Sequence, residues 1–393
     1  MFMKTKYLDN RLVTIFLFAA LVLSSCSKSP ATTPVTPPVT PVPPPATLTY
    51  NYASLSDSLQ ASTYNTYISV DRNYYIQNST GTTTFNYWPQ AHVLNILEDG
   101  YLRTQNALYT LRMKALLTGI KIENGGAYPN EFYDDMGWLA NASMRGYTIT
   151  SDTAYLNVAK ILYTEIQGAS NTTAGGGIAW QRTQLYYKNT PSTGNAIILA
   201  AKMYELQGNT ADLTFAKNLY SWEKSTLVSP AGVVYDGINQ NQDLQVSKAV
   251  YTYNQGLFIG AAVELYNATQ DPAYIQDAIL TANNEIADPD LESNGILKSE
   301  GQGDGGLFKS IAVRYLTDLV ELTALDAADR TKYAAFLQKN AQTLYYKGIG
   351  RPSLLASPDW TLQPSGSIDL TTQLSGVTMI EAAARLKAGS FIQ

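Results

Sequence analysis

From Thr49 onward, apolar residues recur at intervals of three and four, the spacing of a helix face. The pattern predicts helices over 54–66, 89–103, 105–119, 134–148, 152–168 and 192–207, then over 210–226, 252–268, 271–286, 305–323, 329–346 and 371–388. These segments alternate in character. One kind is small and apolar nearly all round, as in Gly194-Asn195-Ala196-Ile197-Ile198-Leu199-Ala200-Ala201; the next is amphipathic, as in Tyr155-Leu156-Asn157-Val158-Ala159-Lys160. A helix apolar on every face belongs inside a fold, and an amphipathic one on its outside. Twelve segments alternating in this way predict an all-α fold of six helical hairpins, which can close into an (α/α)6 barrel with an inner and an outer ring.

A repeat supports the hairpins. Asp152-Thr153-Ala154-Tyr155-Leu156, Asn209-Thr210-Ala211-Asp212-Leu213 and Asp271-Pro272-Ala273-Tyr274-Ile275 each open an outer segment, with anchors Leu156, Leu213 and Ile275 recurring after 57 and 62 residues. Each begins with a capping residue, and Pro272 stands where a missing N–H costs little. An open α-solenoid would show the same hairpins. The uneven repeat length favours closure, because long loops over one rim suit a site. Residues 169–190, 227–250 and 286–304 are such loops, carrying Gly175-Gly176-Gly177, Asp236-Gly237 and Gly301-Gln302-Gly303-Asp304-Gly305-Gly306. No Lys-Ser or Lys-Thr follows the glycines and no strand pattern precedes them, so they are not phosphate loops.

The N-terminus is of a different kind. Lys4, Lys6 and Arg11 precede an apolar run from Leu12 to Leu23, too short to span a membrane and characteristic of a secretory signal over 1–25. Leu23-Ser24-Ser25-Cys26 has the form of a bacterial lipobox, which makes Cys26 the lipidated first residue of the mature chain. Cys26 is the sole cysteine, which excludes an intrachain disulfide. A Pro/Thr-rich tether follows, so that 26–48 links the lipid to a single body over 49–393. The expected setting is an outer-membrane lipoprotein with a monomeric body, facing the periplasm or the cell surface and held to the membrane by the lipid on Cys26. Without the leader the formal charge falls from −5 to −7, which argues against nucleic acid as a partner. Only 15% of residues are charged while tyrosines number 28, a composition suited to neutral, hydroxyl-rich ligands.

His92 is the only histidine. With Cys26 committed to lipid, no zinc site of ordinary composition can form, and neither metal nor cofactor is expected. A Ser-His-Asp triad would rest on His92, and no GxSxG accompanies it. A structural or substrate hydrogen-bonding role suits His92 better than a catalytic one. Carboxylate chemistry remains. Glu131-Phe132-Tyr133-Asp134-Asp135-Met136-Gly137-Trp138 sets two acids side by side at a predicted helix start. Capping is the commoner use of such residues. The alternative is a hydrolase pair in which neighbouring charge makes one acid retain its proton. Glycoside hydrolysis needs that division of labour, together with aromatic platforms for sugar rings. Trp88, Tyr133, Trp138, Trp180, Tyr186, Tyr187, Tyr253 and Phe308 lie near inner-helix starts and loops. Core packing is the better reading for Trp138, and a platform for Trp180, which follows the triple glycine.

Tyr133-Asp134-Asp135-Met136 with Trp138, Ala174-Gly175-Gly176-Gly177-Ile178-Ala179-Trp180, and Tyr187-Lys188-Asn189 resemble glycoside hydrolase family 76. Thr252-Tyr253-Asn254-Gln255-Gly256, Asn294-Gly295-Ile296-Leu297 and Asp304-Gly305-Gly306-Leu307-Phe308-Lys309 with Arg314-Tyr315-Leu316 extend the resemblance. It implies an (α/α)6 barrel and retaining endo-α-1,6-mannanase activity on mannan, with Asp134 as nucleophile and Asp135 as general acid/base. The same motifs put Asn189, Asn254, Gln255, Asp304 and Lys309 beside the aromatics and His92 as residues expected to hold an α-mannan chain. The lipobox and tether resemble those of Bacteroidetes-type glycan-degrading lipoproteins. Met136-Gly137, Ala174 and Gly194-Asn195 depart from the family pattern, which points either to a wider cleft or to a member that binds mannan with little turnover. A non-catalytic mannan-binding lipoprotein and a transglycosylase are the competing readings.

Overall fold

A computed structural model describes residues 49–393; the leader, Cys26 and the tether lie outside the described residues. Twelve α-helices are present among the described residues: α1 (Tyr52–Tyr67), α2 (Tyr87–Thr104), α3 (Ala107–Glu123), α4 (Tyr133–Thr150), α5 (Thr153–Gly168), α6 (Thr190–Gln207), α7 (Thr210–Leu227), α8 (Thr252–Thr269), α9 (Pro272–Glu285), α10 (Gly305–Glu321), α11 (Ala327–Thr343) and α12 (Leu370–Ala388). The predicted segments correspond to these one for one. The largest shift is at α3, which continues through Gly119 to Glu123 because Ile120 is still fully buried.

The even-numbered helices form the inner ring. Each packs on the next, and α12 returns to pack on α2, which an open solenoid could not do. The fold is therefore the closed (α/α)6 barrel. Outer helices α3, α5, α7, α9 and α11 lie on the inner helix before them, while α1 lies on α12, so the first and last of the described helices complete the sixth pair. Inner helices are buried almost throughout; in α6, ten of the eleven residues from Thr193 to Met203 are, with only Lys202 partly open.

The capping repeat is wider than the three copies visible in the sequence. Asn106, Asp152, Asn209, Asp271 and Asp326 each accept a backbone N–H at the start of an outer helix. Such a cap contributes about 1 kcal/mol. In four of these corners the preceding residue (Gln105, Ser151, Gly208 or Gln270) is left-handed and closes the inner helix. A left-handed residue other than glycine costs roughly 1–2 kcal/mol, so three of the corners offset strain against capping. These tight corners hold one end of the barrel together. The long connections gather at the other end, where inner helices begin. They are not wholly irregular: β1 (Lys188–Asn189), β2 (Gly237–Ile238) and β3 (Val246–Ser247) make an antiparallel ribbon, and β4 (Glu292–Ser293) pairs with β5 (Ile296–Leu297).

Candidate active site

Helix α4 starts at Tyr133, so Asp134 and Asp135 fall in its first turn. The N-cap, Phe132, has no acceptor to offer, and the Asp135 N–H donates instead to Asp134 Oδ1 at 3.0 Å. The capping reading thus accounts for one oxygen. The other, Oδ2, accepts from the Trp180 indole N–H at 3.2 Å, while Asp135 Oδ2 accepts from Asn130 Nδ2 at 3.2 Å. Both acids are half-buried and line the same cleft.

Trp180 reaches Asp134 because of the triple glycine. Gly175, Gly176 and Gly177 have φ of 82°, 148° and 76°, and a Cβ on Gly177 would stand 2.5 Å from the Trp222 ring. Only glycine allows so close a wrap. The Trp222 N–H then donates to the Ala174 carbonyl at 2.9 Å. Beyond it, the Tyr133 N–H donates to the Trp180 carbonyl at 2.8 Å, and the Trp180 N–H to the Tyr187 carbonyl at 2.9 Å. Backbone bonds therefore fix the indole over the start of α4.

The cleft has a volume of about 480 Å³. Phe132, Trp180 and Tyr187 form one aromatic group, with ring centroids 5.3 and 5.8 Å from Trp180. Tyr253 and Phe308 form another, 4.2 Å apart. Trp88 and Trp138, 6.3 Å apart, also line it, and the Trp88 N–H donates to Asp304 Oδ1 at 3.0 Å. A third carboxylate comes from the loop before β2. The pairing of Asn189 with Gly237 brings Asp236 beside the start of α6. It accepts from Tyr187 Oη (3.0 Å), Tyr253 Oη (2.7 Å) and Asn254 Nδ2 (3.2 Å).

Asp134, Asp135, Asp236 and Asp304 line the cleft, and no Lys, Arg or His joins them. Burial pushes both acids of the pair above the ordinary carboxylate range. For Asp134, donation from the Asp135 and Asp134 backbone and from Trp180 works against that rise. Asp135 has a single donor, the Asn130 amide: burial raises it, and the charges of Asp134 and Asp304 raise it further. The pair is thus divided, Asp134 better suited to carry charge and Asp135 to hold a proton. Among the described residues no group of three or more His, Cys, Asp or Glu is placed to hold a metal ion.

Of the residues expected at the substrate, Trp88, Trp180, Tyr187, Asn189, Tyr253, Asp304 and Phe308 line the cleft with the acid pair. Five expectations require correction. His92 is buried beneath Trp88 and Trp138, with centroids 5.4 and 5.0 Å away; burial, with the charge of Arg314, pushes it down to about 3, so it is neutral. Tyr133 is buried with the Arg182 guanidinium 5.7 Å from its ring centroid. Gln255 is fully buried and exchanges hydrogen bonds with the Val234 backbone. Lys309 donates to the Pro358 carbonyl at 2.7 Å, against the Trp360 ring. Asn254 stands behind the cleft wall and acts on Asp236 alone. None of the departures, Met136-Gly137, Ala174 or Gly194-Asn195, lines the cleft. Gly137 packs on Asn195, to which Asn141 donates at 2.9 Å, and Met136, Gly194 and Asn195 are buried between inner helices. Sequence reasoning missed Asp236, whose only signal was an Asp-Gly turn in a long loop; Asn86 and Gln240, also on the cleft, gave none.

The sequence profile described as Glycosyl hydrolase family 76 matches residues 54–390. The chain is 42% identical to an α-1,6-mannanase of a Salegentibacter species, the alignment covering 86% of this chain and all of that one with a TM-score of 0.83. Structures of that protein include an inactive variant, with two neighbouring aspartates replaced by asparagine, in complex with α-1,6-mannotriose. A Listeria innocua protein is 34% identical over 86% of this chain and 99% of its own, with a TM-score of 0.81. A Schizosaccharomyces pombe protein described as a putative mannan endo-1,6-α-mannosidase is 25% identical over 281 residues, 64% of this chain; the match spans 62% of that relative.

Proposed function

The chain belongs to glycosyl hydrolase family 76, and from that premise we propose that it is an endo-acting α-1,6-mannanase that cleaves mannan backbones with retention of anomeric configuration. The observation that carries the reading is the divided acid pair: two adjacent carboxyls on one aromatic cleft, Asp134 accepting from a backbone and an indole N–H, and Asp135, with one amide donor, facing the charges of Asp134 and Asp304. The neighbouring aspartates replaced in the inactive Salegentibacter variant support it.

In the first step an Asp134 oxygen attacks C1 of the mannose as Asp135 delivers its proton to the departing glycosidic oxygen. Asp135, now charged, then takes a proton from water; that water attacks C1 and releases Asp134 as a carboxylate. The Trp180 N–H holds the attacking carboxyl in place. Asp236, gripped by three donors, has one acceptor site left to offer a sugar hydroxyl, while Trp88, Tyr253 and Phe308 supply ring platforms. Purified protein on debranched α-1,6-mannan is expected to release oligosaccharides, and Asp134→Asn and Asp135→Asn to bind the polymer without releasing any. A parent protein that binds mannan and releases nothing would make the chain a carrier rather than an enzyme.

The lipobox reading completes the proposal: a lipid on Cys26 holds the monomeric body at the outer membrane through the Pro/Thr tether. Incorporation of labelled palmitate, abolished in Cys26→Ser, is the expected result; equal labelling of both would refute the anchor.

A further inference from the structure

Beneath the cleft the barrel is hollow. A cavity of about 750 Å³, larger than the cleft itself, is lined from all six inner helices and reaches exposed Thr148 and Asn267 at the tight-corner end. Trp138 borders both spaces.

The lining selects the chemistry of an occupant. It carries four cations and four carboxylates. Every cation is engaged: Arg145 and Arg314 by Asp99, Lys202 by Glu264 and Arg385 by Asp318. None is left for a phosphate or carboxylate ligand. Two polar atoms, by contrast, have no partner: His92 Nε2 and Asn141 Oδ1, on residues only 5% and 8% exposed. The Asn141 amide cannot turn to satisfy itself, since its Nδ2 is held by the Asn195 carbonyl and Oδ1 at 3.0 and 2.9 Å. His92 is neutral and offers a ring nitrogen rather than a charge. Trp138, Met144, Val263 and Ile311 supply apolar wall. Apolar surface for C–H faces, with convergent amides and paired charges for hydroxyls, is the make-up of a site for an uncharged polyol.

We propose that this distal cavity is a second, non-catalytic binding site for a small neutral polyhydroxylated molecule of hexose size. The inference does not depend on the reaction assigned to the cleft. The test is titration of D-mannose, followed by saturation-transfer NMR and calorimetry, into the full chain and three variants. Trp180→Ala/Tyr253→Ala disables the cleft, Asn141→Leu removes the unmet acceptor, and Thr148→Trp plugs the mouth from an exposed position that tolerates bulk. Binding that survives in the cleft variant and weakens about tenfold or more in both cavity variants is the expected result. Mannose 6-phosphate is expected to be excluded from the cavity. Loss of all binding in the cleft variant, or binding unchanged by Thr148→Trp, overturns the proposal, as does a mannose-saturated crystal whose cavity holds only water.

Discussion

Asp99 and the Asp134–Asp135 pair are aspartates sunk into the same barrel, and they are held in opposite states. Burial pushes all three upward. At Asp99, the guanidinium groups of Arg145 (2.5 Å) and Arg314 (3.0 Å) outweigh it and hold the carboxyl well below its usual range. At the mouth no cation is within the lining, and the neighbours of Asp135 are themselves acids. Burial raises a carboxyl throughout this fold; at Asp99 two cations reverse that rise, whereas at Asp135 neighbouring acids add to it. The corner end uses its acids to hold inner helices α2, α4 and α10 together. The loop end leaves them unneutralised and reactive.

The contrast breaks most visibly by substitution. Asp135→Asn is expected to lower kcat by about 10²–10⁴-fold, the usual worth of a general acid, and Asp134→Asn by at least as much. Neither should lower Tm, because each relieves a repulsive pair; steady-state kinetics with thermal melts checks both. Asp99→Asn is expected to do the reverse: it takes the charged partner from half-buried Arg314 and leaves half-buried Arg145 with Glu98 alone, at a cost of roughly 3 kcal/mol while sparing the cleft. Denaturant unfolding that found the Asp99 and Asp135 variants equally stable would erase the comparison.

Proton linkage sharpens it. The stability Asp99 contributes is complete above the ordinary carboxylate range and is lost as pH falls toward its depressed value. Acids raised in the fold behave oppositely. Glu98, pushed up to about 8 by burial, and Asp135 contribute stability that is complete below their ordinary range and is lost as pH rises through their raised values. Tm of the parent is thus expected to decline from about pH 5 to pH 8, and Asp135→Asn to flatten that decline. The smallest effect belongs to Trp180→Phe. Removing the indole N–H takes a donor from charged Asp134, so the acid limb of kcat/KM should move to higher pH, by about one unit or less. An unmoved limb would show that the hydrogen bond has no part in dividing the pair.

Much of the architecture was legible in the chain, because inner and outer helices differ in composition as well as period. Closure was legible only through the uneven repeat length, since it depends on α12 meeting α2 across most of the chain length. The acid doublet and Trp180 were legible because each sits beside a local marker, a helix start and a triple glycine. Gln255 and Lys309 were assigned to the substrate by adjacency to Tyr253 and Phe308. A helix turns about 100° per residue, so a neighbour of a cleft-facing aromatic points elsewhere. Asp236 was illegible for the converse reason: its place comes from a two-residue strand register and from tyrosines on two other elements.

In the proposed reaction Asp134 and Asp135 share a double displacement at C1. Time-resolved proton NMR of the parent protein acting on an α-1,6-mannooligosaccharide tests it directly. The newly formed reducing end is expected to appear first as the α anomer and only later to equilibrate. Initial release of the β anomer would mean that water attacks directly, and would contradict the roles given to both residues.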